Sequence, residues 1–202
     1  MHDSRSWPAF PRAPSPFEPA PTLRRRLLGA LAVAPVALAA PRLACASRGE
    51  PSTGFRTLAF LHLHTGERLT VEYFSAGQYV PDALQAVNHL LRDFRTNDVA
   101  EMDPALLDLL HRLREATGSR QPFEVISAYR SPRTNEMLRS RSAHSGVATT
   151  SLHMRGQAID IRLGDVALPR LRDAALSLQA GGVGYYARSN FVHVDTGRVR
   201  HW

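Results

Sequence analysis

Two short apolar stretches carry residue types able to hold a metal ion. In QAIDIRL, residues 157–163, strand alternation puts Ile159, Ile161 and Leu163 on one side and Ala158, Asp160 and Arg162 on the other. In FVHVD, residues 191–195, the same arithmetic separates Val192 and Val194 from His193 and Asp195. Each strand would bury an aliphatic face and offer polar groups on the opposite one. If the strands lie near each other in a sheet, Asp160 and His193 come within reach of one ion. His153 is the third donor, and Gly156 lets the chain turn between it and the strand bearing Asp160. Two imidazoles and a carboxylate form a three-ligand set for catalytic Zn2+, with a fourth position left for water. On residue types alone, a surface His beside a strand is the competing reading.

The surrounding elements must position these groups. Residues 55–74 show two β-rich runs around Thr65-Gly66-Glu67, a hairpin pattern. Val80 to Phe94 places Leu84, Val87, Leu90, Leu91 and Phe94 at helical spacing. Asp103 as N-cap and Pro104 at the first helical position open a second helix that stops at Gly118. Phe123 to Ala128 reads as a strand, and Ser131-Pro132 opens a short helix to Arg139. Residues 139–151 are small, polar and aperiodic, so a loop is expected beside the site. Pro169 to Leu178 forms a helix ended by Gly181-Gly182, and Val183 to Tyr186 with Phe191 to Asp195 form a closing hairpin. This order predicts an α+β fold, a small antiparallel sheet with flanking helices.

The combination of ISAYRSPRTNEMLR, SLHMRGQAIDIRL and GGVGYYARSNFVHVDTGRVRHW resembles the LAS-type zinc peptidases. That group includes D-Ala-D-Ala carboxypeptidases, lysostaphin-like enzymes and the hedgehog fold. More narrowly, the set is similar to its exported YcbK-like branch, from the LHLHTGE hairpin to Trp202. The resemblance implies a hedgehog/D-Ala-D-Ala-peptidase-like fold and a zinc-dependent murein endopeptidase that cuts peptidoglycan cross-links. Links between two diaminopimelate residues, the 3-3 type, are implied more than the common D-Ala link. It also implies His153, Asp160 and His193 as Zn2+ ligands. Arg130 would hold the substrate carbonyl or the developing oxyanion, and Ser151 would orient the site.

The pattern departs from the family at one point. The Glu or His usual two or three residues before the last His ligand is replaced by Phe191 and Asn190. A general base must come from elsewhere. Asp195, on the strand face of His193, is the first candidate; orienting His193 from behind is its alternative role. His201, Tyr185 and Tyr186 follow.

Composition bounds the remaining possibilities. The chain has 202 residues, net charge +7 and 25 basic residues, all Arg, which suits coding bias better than a nucleic-acid surface. No recognition motif or basic stripe points to nucleic acid. A Pro-rich start leads into Arg24-Arg25-Arg26-Leu27-Leu28 and a short apolar run to Ala40. Residues 1–46 therefore read as a disordered n-region and a Tat-type signal peptide, cleaved after Ala44-Cys45-Ala46, with Ala37-Leu38-Ala39 as the competing site. An uncleaved anchor, or lipidation at Cys45, are the alternatives. Residues 47–202 would be the peptidase domain, periplasmic and with no stable membrane span once the signal is removed. The chain's single Cys, Cys45, falls in the leader, so a metal in the 47–202 domain must be held by His and carboxylates.

The other His residues take plainer readings. His62 and His64 alternate on one strand and could form a second metal site, exposed strand positions being the simpler expectation. His89 and His111 fall on helices, and His144 lies in the loop. The rival functions are a D,D-carboxypeptidase on stem peptides and a non-catalytic zinc-containing peptidoglycan-binding module.

Overall fold

A computed structural model describes residues 54–140 and 148–202. The leader, both proposed cleavage sites and His144 lie outside the described residues. The strands are β1 (Arg56–His62), β2 (Arg68–Ser75), β3 (Gln78–Tyr79), β4 (Phe123–Ser127), β5 (Ala158–Leu163), β6 (Gly182–Tyr186), β7 (Phe191–Asp195) and β8 (Arg200–His201). Among the described residues four helices accompany them: α1 (Pro81–Leu90), α2 (Pro104–Thr117), α3 (Pro132–Ser140) and α4 (Leu168–Ser177).

The sheet is larger than the sequence suggests and is not purely antiparallel. Its eight strands run in the order β3-β2-β1-β4-β5-β7-β6-β8. β1 pairs with β4 in parallel, as does β6 with β8, while the other neighbours are antiparallel. The amino-terminal hairpin is thus not a separate feature. A crossover through α1 and α2 returns the chain along β1, and parallel pairing then fuses the hairpin to the strands of the site.

The aliphatic faces form one core. Leu58 and Phe60 of β1, Phe123 and Val125 of β4, Ile159 and Ile161 of β5 and Val192 and Val194 of β7 are all buried. Helix α2 contributes Leu106, Leu107, Leu110 and Leu113, and α4 contributes Leu171 and Ala175. The start and stop of α2 are as expected: the Asp103 carboxylate accepts from Ala105 N at 2.9 Å, and Gly118 adopts φ 69°.

Two expected boundaries move. Helix α1 ends at Leu90 and not at Phe94, because residues 93–98 wind into a turn in which the Asp93 carbonyl accepts from Thr96 N and Asn97 N. Phe94 instead stacks on His64 at 4.1 Å. Helix α4 ends before its glycines, where Gln179 takes a left-handed φ of 49°. Nor is His62 an exposed strand residue: it is fully buried, and its Nδ1 accepts from His64 N and Thr65 N in the hairpin turn.

Candidate metal centre and active-site cleft

Adjacent strands carry the two donors foreseen for them. β5 pairs with β7 so that Asp160 lies directly opposite His193. A register shift in β4 between Val125 and Ser127 turns Ser127 to face Asp160, although Val125 pairs with core residue Ile161. Without that irregularity Ser127 would follow Val125 onto the core face. Arg130 follows from this turn: its Nε donates to Ser127 Oγ at 2.9 Å and its Nη2 to Asp160 Oδ2 at 2.5 Å.

His153 sits in a single 3-10 turn, Leu152–Arg155, in which the Ser151 hydroxyl accepts from the backbone N–H of His153. Gly156 closes the turn at φ 67°, and a Cβ there would run into the Glu101 carbonyl. The Nδ1–H of His153 donates to Ala128 O at 2.6 Å, which leaves the Nε2 lone pair free. The Nε2–H of His193 donates to Asp195 Oδ2 at 3.0 Å, which leaves Nδ1 as its free nitrogen.

Those free atoms converge. His153 Nε2 and His193 Nδ1 lie 3.2 Å apart, and Asp160 Oδ1 lies 3.3 Å from the first and 2.9 Å from the second. All three residues are buried. With both outer nitrogens already donating, three acceptors face one point, an arrangement that requires a cation or a proton between them. Ligands about 2.0–2.1 Å from a tetrahedral ion stand about 3.3–3.4 Å apart, close to the separations here. The donor set therefore fits a metal ion, with each imidazole held from behind as metal-binding His residues are.

The electrostatics agree with this reading. Burial opposes charge on Asp160, yet the imidazoles of His153 and His193 outweigh it and hold the carboxyl far below its usual range. Burial lowers the His153 pKa. Burial acts in the same sense on His193, but hydrogen bonds to Asp160 and Asp195 overcome it and raise the pKa. The centre opens into a cleft of about 330 Å³ lined also by Arg130, Tyr186, Phe191, Arg200 and Trp202. Among the described residues lining it, Asp160 is the sole carboxylate.

Residues 50–202 match the family model described as Peptidoglycan L,D-endopeptidase MepK. The chain belongs to this family. It is 46% identical over 181 residues to the Peptidoglycan L,D-endopeptidase MepK of Escherichia coli K12, covering 89% of this chain and 96% of that protein. A Haemophilus influenzae protein named Probable peptidoglycan L,D-endopeptidase MepK is 46% identical over 148 residues, 73% of this chain and 78% of its own. No solved structure matches.

Within this family member, Asp195 lies behind His193 and outside the cleft lining. It is fully buried, and its carboxylate accepts from His193 Nε2, from Gly182 N and Gly197 N, and from Arg200 through both terminal nitrogens. These donors overcome burial and keep it strongly acidic. Gly181-Gly182, which reads as a helix stop, makes room for it: a Cβ on Gly181 would meet the Asp195 carbonyl, and one on Gly182 its carboxylate and Arg200. Of the other base candidates, Tyr186 lines the cleft, whereas Tyr185 lies under Arg172 at 4.7 Å and His201 is exposed outside the lining.

Two further contributors escape sequence reasoning. Asp93 is buried and accepts from Ser131 N at 2.9 Å and Ser131 Oγ at 2.8 Å, pinning the residue after Arg130. Trp202 sets its ring 5.3 Å from that of His193 and donates from Nε1 to Tyr186 Oη at 2.8 Å. The sole local hint was Gly184, where a Cβ would come within 2.7 Å of the Trp202 ring.

Proposed function

We propose that this chain is a zinc-dependent murein endopeptidase that hydrolyses peptidoglycan cross-links, those of the 3-3 type between diaminopimelate residues foremost. The observation that carries the reading is the convergence of His153 Nε2, Asp160 Oδ1 and His193 Nδ1, with their outer atoms already committed elsewhere. The family relatives named as peptidoglycan L,D-endopeptidases supply the substrate class.

Zinc, when bound, supplies Lewis acidity toward a peptide carbonyl and toward water. The chain's own groups do the rest. Ala128 O and Asp195 fix the two imidazole tautomers. Arg130 balances the charge of Asp160 and keeps uncommitted N–H groups for a substrate carbonyl or a developing oxyanion. Of the two roles open to Asp195, we assign it the positioning one, because a carboxylate saturated by five donors has no lone pair to spend on a proton. Ser151 orients His153 by capping its turn.

The same reading includes a hedgehog/D-Ala-D-Ala-peptidase-like fold, Tat export to the periplasm, and residues 1–46 as the leader of a 47–202 peptidase domain. Among the described residues, no helix is long and apolar enough to cross a membrane. The test is incubation of the purified protein with intact peptidoglycan, with zinc or with chelator, and mass spectrometry of the released muropeptides. Zinc-dependent loss of 3-3 dimers, absent in His153→Ala, is expected. Release of D-Ala from uncross-linked stems alone would identify a carboxypeptidase. No cleavage by folded, zinc-loaded protein would favour a binding module.

A further inference from the structure

A second cavity, of about 380 Å³, opens beyond the metal centre along β5, lined by Glu124, Arg162, Gly164 and Asn190 among others. Arg162 lies two residues from Asp160 on the same strand face, and the register of β4 and β5 sets Glu124 opposite it. Their side chains form a partly exposed ion pair, Arg162 Nε donating to Glu124 Oε2 at 2.6 Å. Phe191 comes opposite Arg162 one step beyond the Ile161–Val192 pairing, on the side of Arg162 away from Glu124. Phe191 stacks on Tyr186 at 4.5 Å, and both rings line the catalytic cleft. At the start of β7, Asn190 lines one cavity and its chain neighbours Ser189 and Phe191 line the other.

We infer that Glu124 and Arg162 form a subsite for a zwitterionic α-amino-acid centre carried on a short aliphatic arm, and that this subsite selects the 3-3 cross-link. The inference rests on the endopeptidase reading. In a 3-3 link the diaminopimelate that provides the scissile carbonyl keeps, three methylenes away, an untouched ammonium and carboxylate. The D-Ala that provides the carbonyl in the common link has only a methyl group. Two residues of strand span about 6.6–6.8 Å, and a chain of three methylenes reaches about 6 Å from the scissile carbonyl's own carbon to the far centre. With the carbonyl at the metal centre, the methylenes run along β5 toward Arg162, beside Phe191, and the far centre arrives at the ion pair. Arg162 then takes the carboxylate and Glu124 the ammonium. A partly exposed ion pair contributes little to stability, so exchanging its partners for a matching zwitterion is inexpensive.

The test compares two 3-3 cross-linked dimers, one native and one acetylated on the free amine, using the zinc-loaded full chain and its Glu124→Gln/Arg162→Gln double variant. The native protein is expected to cut the unmodified dimer with a kcat/KM at least 10-fold above that for the acetylated one. The double variant should bring this ratio near one. Equal cleavage of both dimers by the native protein, or a preference retained by the variant, overturns the subsite. If the double variant fails to fold by circular dichroism, Arg162→Gln alone must reduce the preference. If native protein cuts neither dimer, the endopeptidase reading itself fails. The subsite then stands or falls on a ¹⁵N NMR titration with free diaminopimelate, in which the Arg162 Nε–H resonance must shift.

Discussion

Replacing Asp195 with Asn separates two roles open to a carboxylate beside the proposed metal ligand His193. The two Asp195 oxygens accept from His193, Arg200 and the backbone N–H groups of Gly182 and Gly197. Asn keeps the shape but turns one oxygen into an NH2 group. Gly182 N and Gly197 N both point at Oδ1 and demand an acceptor there, so the NH2 group must replace Oδ2 and face His193 Nε2. The imidazole then moves its proton to Nδ1, the atom that faces Asp160, and the lone pair meant for the metal is lost. Losing such an outer partner lowers metal affinity about 10- to 100-fold, or about 1.4–2.7 kcal/mol. Leaving Arg200 without its carboxylate should cost the fold about 3 kcal/mol more. Competition for zinc against a chromophoric chelator reads the first effect and urea denaturation the second. Zinc affinity should fall at least 10-fold, while kcat at saturating zinc stays within a few-fold. Were Asp195 the general base, kcat would drop about 10²- to 10⁴-fold with zinc affinity unchanged. That pattern in folded protein would refute the positioning argument.

Other perturbations follow from the same geometry. Gly156→Ala combines φ 67° with a Cβ driven into the Glu101 carbonyl, so a loss above about 2 kcal/mol and weakened zinc binding are expected in denaturant titrations. Chelation should lower the melting temperature by about 5–10 °C relative to zinc at 100 times its Kd, a difference that vanishes in His153→Ala. Burial opposes charge on Asp93, but hydrogen bonds from Ser131 N and Oγ and from Arg95 N win and lower its folded pKa below the unfolded value. Its stabilisation is therefore present above about pH 4, where the unfolded carboxyl ionises, and is lost as pH falls through the lower folded value. Denaturation measured from pH 2 to 7 should show this rise, and Asp93→Asn should flatten it while costing about 2–3 kcal/mol at pH 7.

What could be read locally was the residue inventory and its facing. Alternation in QAIDIRL and FVHVD placed Asp160 and His193 opposite the aliphatic face, since side-chain direction along a strand repeats every two residues. The caps of α2 were legible for a similar reason: Asp103, Pro104 and Gly118 act on backbone groups within one turn of themselves. Local signals misled where a residue's partner was distant. Gly181-Gly182 has the form of a helix stop, but those positions are small because Asp195 occupies the space a side chain would need. Tertiary structure alone decided that β5 and β7 are neighbours, that β4 shifts register before Ser127, and that the amino-terminal hairpin joins the site strands through a parallel pairing. It also chose the imidazole nitrogens, through Ala128 O for His153 and Asp195 for His193. Periodicity and capping are set by interactions a few residues long. Register, tautomer and the demand for glycine arise where segments far apart in sequence pack together, so they become determinate only when the sheet closes over its core.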